Sequence, residues 1–128
     1  MNDSAALQLA DTVRQTAFEV HPILRHGHGE KVYENSLRNR LRKKGLTAEQ
    51  QVPINVYDED GSLLGEFFAD LRVNSAFIVE LKAVRALAGE PTAQVLGYPR
   101  ASRHEHGMLI NFGAPKTQFR KYAFRTTD

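Results

Sequence analysis

The chain has 128 residues, 41% hydrophobic and 25% charged, with a formal net charge of +2 and no cysteine. That length suits one domain with one core over residues 1–128, and the balance is that of a soluble globular protein. A disulfide framework and a thiolate metal site are excluded, and mild basicity permits a nucleic-acid partner without requiring one.

Residues Asp3 to Val20 carry Ala6, Ala10, Val13, Ala17 and Val20 at helical spacing, with Asp3 or Ser4 available as a cap; Pro22 is expected to end or kink this helix. Arg25 to Gly29 reads as a loop, since two glycines and no apolar period leave nothing to bury. A second helix is predicted from about Glu30 to Lys44, stopping at Gly45, with Tyr33, Leu37 and Leu41 as its buried stripe and Glu30 on the same stripe. Its arginines and lysines read as a solvated face suited to the helix C-terminus. Val52, Ile54 and Val56 alternate as a strand, and Pro53 points to a sheet edge. Asp58 to Ser62 is a turn; its acids lack the spacing and closing glutamate of a calcium loop. No apolar run reaches the roughly 20 residues needed to span a bilayer, and no leader pattern opens the chain, so a cytoplasmic location is the expectation.

Two strands follow, Phe67 to Val73 and Phe77 to Val84. Ala69, Leu71, Val73, Phe77, Val79, Leu81 and Ala83 form one alternating set, and Asp70, Arg72, Glu80 and Lys82 form the other. If the apolar sets share a face, a three-residue turn at Asn74, Ser75 and Ala76 puts Asp70 opposite Glu80. Opposed carboxylates repel, and a divalent cation converts that repulsion into ligation. Thr92 to about Ser102 is predicted as a third helix that begins near Pro91, with Gln94 and Tyr98 one turn apart and Pro99 bending it. Met108 to Phe112 reads as a strand buried on both faces, and Thr117 to Phe124 as a last strand alternating basic with apolar or aromatic residues. The order of helix, helix, three strands, helix, strand, strand describes an α/β sandwich with a mixed central sheet flanked by helices.

Asp70 followed by Glu80-Leu81-Lys82 resembles the Asp…(Asp/Glu)-x-Lys core of the PD-(D/E)xK nuclease superfamily, whose fold is restriction-endonuclease-like. Gly27, Glu30 and Tyr33 fit the spacing of the GxxExxY family within it, as do the Gln94-x-x-x-Tyr98 motif and the apolar run closing at Gly113. The resemblance implies a metal-dependent nuclease acting on DNA or RNA. It further implies that Asp70, Glu80, the Leu81 carbonyl and Glu30 hold Mg²⁺, with Mn²⁺ as substitute. Lys82 would orient the attacking water or stabilise charge, and Gln94 and Tyr98 would support the lysine and touch substrate.

Three other readings compete. Glu80, Lys82 and Asp70 would form a surface ion-pair cluster on an exposed sheet face. His26-x-His28 and His104-x-His106 would bind Zn²⁺ or Ni²⁺, although loop pairs at that spacing preform no geometry. A catalytically silent module would keep the fold for binding nucleic acid or a partner protein. Phe119, Tyr122 and Phe124 on a terminal edge strand add an expectation of pairing with a second copy or a partner.

Overall fold

A computed structural model describes residues 3–85 and 106–123. The helix predicted over Thr92 to Ser102, and with it Gln94, Tyr98 and Pro99, lies outside these residues, as does His104. Helix α1 spans Asp3–Leu24 and α2 spans Glu30–Lys43. The strands are β1 (Ala48–Tyr57), β2 (Leu63–Val73), β3 (Phe77–Lys82), β4 (His106–Asn111) and β5 (Gln118–Ala123), and they lie side by side in that order. The sheet is mixed: β3 pairs with β4 in parallel, and every other neighbouring pair is antiparallel.

Pro22 does not end α1, which continues to Leu24. A proline one turn from a helix end removes a single backbone bond and leaves only two residues beyond it, so the penalty is met where the helix has least to lose. Strands β1 and β2 are longer than their alternation suggested. They pair from Ala48 opposite Val73 to Tyr57 opposite Leu63, interrupted at Gln51/Asp70 and shifted at Val56/Tyr57, so partnership extends the strand through Glu49 and Gln50, where period-2 patterning is absent.

The core lies between the helices and one face of the sheet. Val13, Ala17 and Val20 of α1 and Tyr33, Leu37 and Leu41 of α2 meet Leu71, Val73, Phe77, Val79, Leu81, Met108 and Ile110. Burying a side chain such as Leu71 fully contributes about 1.5–3 kcal/mol. Lys44 ties the helices together at their rim, donating to Thr16 Oγ1 at 2.8 Å and Glu19 Oε1 at 2.9 Å. The opposite face is covered where β3 and β4 cross it: Ile78, Glu80 and Leu109 are also buried. Ala69 departs from the predicted apolar set, packing with Ile54 and Ile78 in a second cluster. The alternation of β2 therefore changes face around Asp70. Phe119, expected on an exposed edge, packs edge-on against Phe18 with ring centroids 5.1 Å apart.

Candidate active site

The hairpin register is the one that parity required. Leu71 faces Val79, Arg72 faces Ile78 and Val73 faces Phe77, around the turn at Asn74, Ser75 and Ala76. Continued by one residue, this register opposes Asp70 and Glu80, but the backbone ladder stops short of them. Two side-chain bonds take its place. Glu80 Oε1 accepts from the Asp70 N–H at 3.0 Å, and Asp70 Oδ2 accepts from the Leu81 N–H at 2.7 Å. The strands thus open into a gap that the two carboxyl groups fill, each stitching to the other strand's backbone. In a strand the N–H and C=O of one residue point the same way. Leu81 N–H points towards Asp70, so its carbonyl is directed into the same gap.

Glu80 is only 5% exposed, and burial, reinforced by the charge of Asp70, pushes its carboxyl up to about 9. Lys82, two residues on, pulls in the other direction with a weaker effect. Among the described residues neither Asp70 nor Glu80 forms an ion pair, so the surface ion-pair cluster is not what the chain builds. The pair instead offers hard oxygen donors, Glu80 buried and Asp70 half-buried, whose charges would repel if both were ionised.

Glu30 is not brought into this pair. It is the first residue of α2 and is exposed, and among the described residues no group of three His, Asp or Glu side chains stands ready around one metal. The described residues therefore do not preassemble Glu30 with Asp70 and Glu80 as three ligands of one metal. One turn later, Glu34 is 3% exposed and takes hydrogen bonds from Lys31 Nζ at 2.8 Å, Gln50 Nε2 at 2.6 Å and Gln51 Nε2 at 2.9 Å. Gln51 Nε2 also donates to Asp70 Oδ1 at 3.3 Å, linking helix and carboxyl pair. The Gln51 backbone is left-handed, φ 51°, which costs a non-glycine residue roughly 1–2 kcal/mol. Sequence reasoning missed both residues. The available signal was a pair of glutamines within β1 and a glutamate one position from the Tyr33 stripe.

The remaining motif residues shape the frame. Gly27 has φ 113°, open to glycine and strained for other residues. Tyr33, fully buried, donates from its hydroxyl to the Arg25 carbonyl, accepts from the His28 N–H at 3.3 Å and stacks on Phe112 at 4.8 Å. The Asn111 side chain, completely buried, accepts from the N–H groups of Val84 and Gly113 and donates to the Val84 carbonyl and Gln118 Oε1. Gly113 is required there, because a Cβ would stand 2.3 Å from Val84 N. Together these bonds fix the chain where it leaves Lys82.

The model of the PD-(D/E)XK nuclease superfamily matches residues 7–122. The chain belongs to that superfamily. The fold agrees: the crystal structure of SSO0001 superposes with a TM-score of 0.59 at 17% identity, covering 77% of this chain and 52% of that one. The chain thus spans about half the length of that structure. No curated protein matches the sequence. Superfamily membership makes a nuclease the general expectation, and such nucleases typically use divalent metals such as Mg²⁺. No helix among the described residues is long and apolar enough to cross a membrane.

Proposed function

We propose that the chain is a divalent-cation-dependent nuclease that hydrolyses phosphodiester bonds in nucleic acid, DNA first. The observation that carries this reading is the Asp70/Glu80 pair, two carboxyl groups facing each other in the gap where β2 and β3 part. The donor set fits Mg²⁺, which takes one or two carboxylates and keeps several waters. Asp70, Glu80 and the Leu81 carbonyl would hold the cation, which when bound supplies charge to neutralise the phosphate and to acidify water. Lys82 adds a positive charge beside the pair that stabilises the developing charge or orients the attacking water. Burial and the charge of Asp70 raise the Glu80 carboxyl to about 9, and a bound cation would favour its ionised form.

Glu30, exposed at the start of α2, would add a ligand or hold a metal-bound water from the helical side. The resemblance to GxxExxY proteins supports Gln94 and Tyr98 as the residues that steady Lys82 and meet substrate, and pairing of two copies through β5 would lengthen the substrate groove. The test is single-turnover cleavage of labelled single- and double-stranded DNA and RNA in Mn²⁺ or Mg²⁺, wild type beside Asp70→Asn. Cleavage by wild type alone is expected. Nucleic-acid binding without cleavage under either metal would favour the silent-module reading.

A further inference from the structure

We propose that Gln51 is a positioning residue for the candidate cation site, holding the Asp70 carboxyl in place by bridging it to the buried carboxylate of Glu34. The inference rests on the nuclease reading and extends it to a residue outside the proposed cation ligands. Three observations meet at this position. The Gln51 amide spends its two N–H bonds on two acceptors, Glu34 Oε1 and Asp70 Oδ1. The β1–β2 register runs through Gln50 opposite Leu71 and Val52 opposite Ala69 but skips the Gln51/Asp70 pair between them. The backbone of Gln51 is left-handed where a strand residue would be extended. Local strain of this kind persists only where the surroundings impose it, and it concentrates at functional positions.

The anchor end is rigid. Glu34 is fixed from three sides, and Gln50, one of its donors, is itself held by Arg38 and by Asn35. Asp70 Oδ2 is fixed by the Leu81 N–H, so the Gln51 bond to Oδ1 removes the remaining freedom of the carboxyl plane. Each carboxylate oxygen accepts more than one bond, so both retain capacity facing Glu80. An amide suits this task better than a lysine or arginine would. It orients Asp70 without cancelling the negative charge on which a cation depends.

Two variants separate positioning from mere structural support. Gln51→Ala removes the amide and leaves the left-handed strain, whereas Gln51→Gly removes the amide and relieves the strain. The measurements are thermal unfolding in EDTA and calorimetric titration with Mn²⁺. The expected result is that Gln51→Gly unfolds at a higher temperature than Gln51→Ala, while both bind Mn²⁺ about 10–100-fold more weakly than wild type, the usual penalty for losing an outer partner of a metal ligand. Affinity then follows the amide and not the stability. If Gln51→Gly binds Mn²⁺ as wild type does, the positioning role is overturned, whether or not Gln51→Ala folds. A wild type that binds no Mn²⁺ overturns the cation-site reading itself and this role with it.

Discussion

The two ends of the β2–β3 pair differ in what closes them. Near the turn, Leu71, Val73, Phe77 and Val79 are fully buried and their backbones pair in register. One residue beyond Leu71 and Val79 the ladder gives out, and the carboxyl oxygens of Asp70 and Glu80 accept from backbone N–H groups across the gap. The first end is built by burial and is self-sufficient. The second sets two carboxyl groups together, one of them buried and held protonated at neutral pH, so it stands to gain most from a cation. The comparison teaches that one hairpin can carry both a nucleus of stability and a deliberately uncomfortable site. Substitutions at its two ends should therefore behave differently.

The largest effect is expected at Lys82. Lys82→Ala should cut single-turnover cleavage by roughly a hundredfold or more, the scale of losing a transition-state contact, while Mn²⁺ affinity is retained. Equal cleavage by both proteins would remove Lys82 from the chemistry. Next comes Glu80→Gln, measured without metal. Glu80 is raised from 4.5 to about 9 in the folded chain, so between those values the folded state holds a proton that the unfolded state has released, and stability falls as pH rises. Glutamine removes that loss. The variant should match wild type near pH 4.5 and gain with each pH unit, to at most about 3 kcal/mol at pH 7. Unfolding temperatures in EDTA at several pH values check this, and a pH-independent difference would contradict it.

Gly113→Ala should cost about 1–3 kcal/mol, because a Cβ 2.3 Å from Val84 N collides with backbone that cannot swing aside. Denaturant unfolding reads that cost, and an undiminished midpoint would show that the chain after Lys82 is less fixed than its bonds to Asn111 imply. The smallest effect belongs to the closed end. Arg72 pairs with Glu49 at 3.0 Å on a partly exposed face, and Arg72→Ala should cost less than about 1 kcal/mol and leave Mn²⁺ affinity unchanged. A large loss of affinity would blur the distinction between the two ends.

Much of this site was legible because strand parity is a strong constraint. With the turn fixed at Asn74 to Ala76, the apolar set left only one register, and that register opposes Asp70 and Glu80. Parity could not reveal that the ladder stops there, because Ala69 looks like any other inward residue until its neighbours Ile54 and Ile78 are known. The helical period likewise placed Tyr33, Leu37 and Leu41 in the core but misjudged Glu30. Angular position on a helix does not fix which glutamate meets the strands: Glu30 is exposed, whereas Glu34 faces Gln50 and Gln51. The role of Gln51 depends on a left-handed backbone, which glutamine does not advertise.

The central claim is that Asp70 and Glu80 form one cation site in which a cation takes the place of the proton that burial and Asp70 hold on Glu80. Its most direct test is calorimetric titration of the metal-free protein with Mn²⁺ near pH 7, repeated in two buffers of different ionisation enthalpy. Because Glu80 is held protonated at that pH, the expected result is saturable binding with release of about one proton per cation, tightening as pH rises towards about 9. Glu80→Gln should abolish the proton release and most of the affinity. Binding that releases no proton and is indifferent to Glu80→Gln would contradict the account.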